Sequence, residues 1–145
     1  MSIFDNCLYF STNQLARHLN SIADAAFKDS DYTATQGFTI IAIGELDKHS
    51  PSEIAEVLAM KPSTITRFLD KLVSYGYVER TYLGRNTEVN LTAKGYKALP
   101  EVKQQWMSID KLISENFSKE IACELNPLIH DANVHYMEKN SKNNS

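Results

Sequence analysis

Two rhythms of apolar positions alternate along the chain. Leu15, Leu19, Ile22, Ala23, Ala26 and Phe27 recur at helical spacing, which predicts one long helix from about Leu8 to Lys28. The stretch KDSDYTATQG then gathers turn formers, and FTIIAIGELDKH reads as a second, more apolar helix. In SPSEIAEVLAM, Ser50 or Ser52 is placed to cap a short helix. Pro51 falls in its first turn, and Ile54, Ala55 and Leu58 form its inner face. Lys61 and Pro62 close that helix and open another, PSTITRFLDKL. At about 100° per residue, its Ile65, Phe68, Leu69 and Leu72 share one side. Ser63, Arg67, Asp70, Lys71 and Ser74 cluster opposite, flanked by Thr64 and Thr66.

After Gly76 the rhythm changes to alternation. YVERTYL and TEVNLT are β-branched runs separated by Gly84-Arg85-Asn86, the pattern of a β-hairpin. Thr92 is a natural cap for the next helix. There Leu99, Val102, Trp106, Ile109 and Ile113 repeat at alternating steps of three and four, a heptad-like seam. A last helix is expected from about Ser118 to Met137, kinked at Pro127 or restarted there with Asn126 as cap.

Helix, tight turn, helix and hairpin in that order predict a winged helix-turn-helix, a mainly α fold with a small β-hairpin wing. The expectation is one domain over 1–145. It comprises a winged helix at about 34–95, outer helices at about 8–29 and 93–138, and a frayed tail at 139–145. Three long amphipathic helices exceed what a lone winged helix covers, so their stripes call for a twofold dimer. The alternative is a helical bundle within one chain.

Composition sharpens this picture. With 43% hydrophobic and 10% aromatic residues the chain can bury a core. No apolar run reaches the roughly 18 residues of a membrane span, and a cytoplasmic protein is expected. A net charge of −3 does not suggest a polyanion partner, but its distribution does. Residues 61–97 hold seven cations against three acids, a net +4, so the remainder carries −7.

SPSEIAEVL, PSTITRFLDKLVSYGYVER and NLTAKG, in this order and spacing, closely resemble the MarR/SlyA family of bacterial transcriptional regulators. The resemblance implies a six-helix winged-helix homodimer. Its first and last two helices would interlock two subunits, and a recognition helix would enter each major groove of a pseudo-palindromic operator. Carried onto these positions, Ser63, Thr64, Thr66 and Arg67 are the expected base-edge or groove contacts, and Lys71 a phosphate contact. Arginine pairs guanine O6 and N7, and threonine meets a thymine methyl. The wing arginine expected in the minor groove is Arg85. The family's acidic residue two positions before it is replaced by Leu83. Asp70, among cations, reads as the ion-pair partner of Arg67 or of a wing arginine. Repression is the commoner mode of the family.

Some relatives, the OhrR peroxide sensors, use a cysteine near the start of the first helix. By that resemblance Cys7, with Cys123, is a candidate redox sensor. Alternatively Cys7 is a buried thiol on the Leu15–Leu19 stripe. The family also implies a small aromatic or anionic effector, for which Tyr9, Phe10, Phe27, Tyr32, Phe38 and Trp106 are candidate lining or plain core. No cofactor or metal is expected: His130 and His135 stand about 140° apart on a helix, and His18 and His49 lie in other segments. No glycine-rich phosphate loop, HExxH or GxSxG motif supports an enzyme. The alternative function is a winged helix that binds protein, which would present an apolar or acidic face over residues 63–74.

Overall fold

The computed structural model describes residues 2–141. Its elements are α1 (Leu8–Ala26), α2 (Ala34–Gly44), α3 (Pro51–Val57), α4 (Pro62–Ser74), β1 (Val78–Leu83), β2 (Asn86–Leu91), α5 (Ala93–Asn116) and α6 (Lys119–Ser141). Six helices and one antiparallel hairpin make a winged helix, the fold expected from the sequence. By packing, the chain divides into two compact units, Met1–Ile109 and Asp110–Ser145, with the division falling inside α5.

The core of the first unit is built by Ile40 and Ile43 of α2, Ile54 of α3, Ile65, Leu69 and Leu72 of α4, and Val78 and Val89 of the hairpin. Each such side chain contributes about 1.5–3 kcal/mol on burial. The inner face of α4, rather than helix propensity, therefore holds that helix in place. The α5 seam is divided in use. Leu99 and Val102 are buried in this core and Ile109 packs against it, whereas Trp106 is 51% exposed. Gly95 is required at the base of α5, because a Cβ there would run into the backbone carbonyl of Tyr77.

Capping defines the helix ends. Ser50 caps α3 in a box with Glu53: the Glu53 N–H donates to Ser50 Oγ at 3.2 Å, and the Ser50 N–H to Glu53 Oε2 at 3.1 Å. Hydrogen bonds from the Ser50 hydroxyl first, then from its backbone, hold the Glu53 carboxyl below the usual range. Thr92 caps α5, accepting from the Gly95 N–H at 3.1 Å.

The turn between α3 and α4 is a Schellman motif. Met60 N–H donates to Ala55 O at 2.9 Å and Ala59 N–H to Glu56 O at 3.1 Å. Ala59 takes the left-handed position at φ 50°. The end of α4 repeats the motif, Tyr77 to Leu72 and Gly76 to Val73, with Gly76 at φ 79°.

Four expectations need correction. The second helix starts at Ala34 rather than Phe38 and stops at Gly44. TATQ, read as turn formers, is a capping box in which the Thr33 N–H donates to Gln36 Oε1 at 3.0 Å, and the box carries the helix through Gly37. A Cβ on Gly37 would stand 2.5 Å from the Phe27 ring, so glycine there admits close packing rather than a turn. The hairpin loop has two residues, not three, because Asn86 pairs with Leu83. Finally, of the two expectations at Pro127 the restart with Asn126 as cap does not hold, because α6 runs unbroken through it. The proline removes one N–H, leaving the Cys123 carbonyl without its usual donor, but the helical turns on both sides continue. The helix also covers 139–141 of the expected frayed tail, and residues 142–145 of that expectation lie outside the described residues.

Candidate nucleic-acid interface

The outward face of α4 is made by what its inner face buries. With Ile65, Leu69 and Leu72 turned into the core, Ser63, Thr66, Arg67, Asp70 and Lys71 are exposed and Thr64 is half-buried. Pro62 at the first position lacks the N–H that a helix start leaves unpaired, and Lys61 is the uncapped residue before it. Thr66 Oγ1 donates to the Pro62 carbonyl at 3.0 Å. Its hydrogen is thereby engaged, leaving lone pairs and a methyl group for a ligand.

Asp70 is the one acid on this face, and its charge is taken up from the wing. Arg80 of β1 donates through Nη1 to Asp70 Oδ1 at 2.5 Å and through Nη2 to the Thr66 carbonyl at 3.3 Å. One guanidinium thus ties the hairpin to two successive turns of α4. It also leaves the cations beside Asp70 uncompensated. Arg67 makes no ion pair among the described residues, and Lys71 Nζ rests 5.8 Å from the Tyr75 ring centre. The expected partner of Asp70 is therefore a wing arginine, and that arginine is Arg80. Sequence reasoning did not single out Arg80. The available signal was its place in β1 two residues after buried Val78, on the same side of the strand.

Arg85 stands at the hairpin tip. Gly84 has φ 64° and Arg85 has no positive φ, the combination of a two-residue II′ turn. Open space surrounds the position of a Gly84 Cβ, and Tyr82, Leu83 and Arg85 are all exposed. With leucine in place of the acid, nothing on the strand before the tip holds the Arg85 guanidinium.

The far side of the wing is anchored too. The Val89 N–H donates to the His49 carbonyl at 2.7 Å, and the His49 ring bridges Val89 O (3.0 Å, from Nδ1) and Asp47 Oδ1 (2.8 Å, from Nε2). The hydrogen bond to Asp47 first, and then that to the Val89 carbonyl, raise the imidazole pKa above its ordinary value. Lys94 donates to the Tyr75 carbonyl at 2.7 Å while lying 4.2 Å from the Tyr77 ring centre. Tyr77 itself is buried, and burial first, then Asp31, push its phenol up to about 12.

Cys7 is the residue preceding α1, and Cys123 lies in α6. Both are exposed, so the reading of Cys7 as a buried thiol does not hold within this chain. No helix among the described residues is long and apolar enough to cross a membrane.

Residues 32–83, which take in α2, α3, α4 and β1, match the model of the MarR family. This segment is MarR-like. The uncharacterised HTH-type transcriptional regulator YybA of Bacillus subtilis (strain 168) is 25% identical over 119 residues, covering 80% of this chain and 79% of the relative. The regulator MosR of Mycobacterium tuberculosis superposes with a TM-score of 0.70 at 27% identity, over 90% of this chain and 98% of that one. A mutant of Escherichia coli MarR, solved with operator DNA, superposes with a TM-score of 0.76 at 22% identity, over 91% and 99%. These likenesses are to transcriptional regulators, and this chain shares their winged-helix fold.

Proposed function

We propose that this protein is a MarR-type, sequence-specific DNA-binding repressor that acts as a homodimer on a pseudo-palindromic operator. The observation that carries the reading is the Arg80–Asp70 pair, which neutralises the one acid on the outward face of α4 and leaves Arg67 and Lys71 without an ion pair among the described residues. In this reading α4 lies in the major groove. Ser63, Thr64, Thr66 and Arg67 meet base edges, and Lys71 meets phosphate. Arg85 enters the adjacent minor groove. The likeness to a MarR solved with operator DNA supports DNA as the partner.

Both units form one functional domain in this proposal, the first reading DNA and the chain ends joining two copies. Ile3, Leu8 and Tyr9 near the start of the chain, and Leu128, Tyr136 and Met137 in α6, are exposed apolar side chains that a second copy would cover. Release follows a small aromatic or anionic effector, or oxidation at Cys7 with Cys123. The test is selection of bound duplexes from randomised DNA, then footprinting of the recovered sequence with and without peroxide. A protected palindrome is expected. Protection of random DNA with equal strength would favour a protein-binding winged helix, and indifference to peroxide would leave the small molecule as the signal.

A further inference from the structure

His49 lies outside the residues expected to touch DNA, yet its ring completes a contact between the segment leading into α3 and the edge of the wing. Val89 directs both its N–H and its carbonyl away from β1. The N–H reaches the backbone of His49 at 2.7 Å, and the carbonyl reaches the His49 ring at 3.0 Å. The ring stands where a backbone N–H would stand in a third strand. Its other nitrogen faces Asp47 Oδ1 at 2.8 Å, and Asp47 is held in the left-handed region at φ 55°.

Both acceptors lack a hydrogen to share, so two ring N–H groups are required. A neutral imidazole has only one. In either neutral tautomer, a bare ring nitrogen would face the Val89 carbonyl or the Asp47 carboxylate. Only the imidazolium satisfies both. The charges around it favour that form. Asp47 is on its own loop and Glu88 comes from β2, while Glu53 of α3 is engaged by Ser50 and Lys48 precedes His49 in the chain.

We propose that His49 is a positioning residue: as an imidazolium it fastens the entry to α3 onto β2, so that DNA binding by α4 and the wing tightens on acidification. This rests on the DNA-binding reading. The folded-state pKa of the ring is raised. The contribution of the clamp is therefore fully present below the unfolded imidazole value of about 6.5, and is lost as pH rises through the folded value.

Two measurements on the full-length protein test it, from about pH 5.5 to about pH 8.5, either side of the ordinary imidazole range. The first is hydrogen-exchange protection of the Val89 amide, corrected for intrinsic exchange. Protection should fall with rising pH in the wild type, fall at lower pH in Asp47→Asn, and be low and flat in His49→Gln. The second is affinity for a duplex that the wild type selects from randomised DNA. It should drop about fivefold across the range, the lower end of typical couplings between sites, and His49→Gln should lose most of that slope. A Val89 protection that does not change with pH overturns the clamp. A His49→Gln protein with the wild-type affinity slope overturns its link to DNA. Recovery of no duplex at any pH removes the DNA reading and the coupling with it, while the Val89 amide still decides the clamp.

Discussion

Arg67 and Arg85 are exposed cations without an ion-pair partner among the described residues, yet their surroundings assign them different work. Arg67 projects from a helix fixed by three buried side chains, so its guanidinium is offered from a rigid base. Arg67→Ala should cost about 1–3 kcal/mol per half-site and relax discrimination at one base position. Arg85 rides on a two-residue turn and, in the proposed reading, meets a groove with a degenerate pattern, so Arg85→Ala should weaken binding broadly with a smaller loss of preference. Lys71→Ala should lower the salt slope by roughly one. Titrations against matched and mismatched duplexes at two salt concentrations check all three. Equal losses on specific and random DNA for Arg67→Ala would show that α4 positions the protein but reads nothing. At this scale the outward face of α4 was legible, because periodicity alone separates Ile65, Leu69 and Leu72 from Arg67 and Lys71. The contacts of Arg80 with Asp70 and of His49 with Val89 were not, since each joins residues at least ten positions apart that no local pattern links.

At the scale of elements, the wing and α4 behave as a pair. Arg80→Gln should lower stability by under about 1 kcal/mol, as expected for a partly exposed ion pair. Its effect on DNA affinity should be larger, because Asp70 is then left facing phosphates. Adding Asp70→Asn should restore much of that loss, and a double-mutant cycle on the selected duplex measures it. If the double variant binds no better than Arg80→Gln, the acid is not what the arginine silences. The helix-turn-helix corner offers a second check. Ala59 sits at φ 50° in a position that glycine takes at the end of α4. Ala59→Gly should therefore stabilise the protein by about 0.5–1 kcal/mol, the relief of left-handed strain less the added freedom of the unfolded chain. A lowered urea midpoint would contradict this. The elements themselves were largely legible, since Ser50, Pro62 and Thr92 mark helix starts by their own chemistry. The start of α2 was not. Thr33 and Gln36 are turn residues by composition, and only their reciprocal hydrogen bonds make them a cap.

For the whole molecule, the chain ends are the parts least satisfied alone. No residue of α1 or α6 is buried, although Leu8 is 83% and Leu128 66% exposed. Helices with so little burial gain little from tertiary packing. Sedimentation should give a dimeric mass at micromolar concentration, and the melting temperature should rise with protein concentration. A monomeric mass would remove the basis for twofold operator binding. Sequence spacing pointed to a surplus of apolar stripe, but it did not divide the stripe of α5 between the core of its own chain and an outer face. That division depends on where α2 lies, which spacing along one helix does not encode. The double anchorage of the wing has a last consequence, for the heat of association. Arg80 holds one strand and His49 the other, so the hairpin is already ordered before a duplex arrives. Ordering a loose hairpin would cost about 1–2 kcal/mol per residue at the moment of contact. Here that cost falls on folding, and calorimetry should give a heat-capacity change no larger than the buried interface alone accounts for, without the excess that accompanies coupled folding.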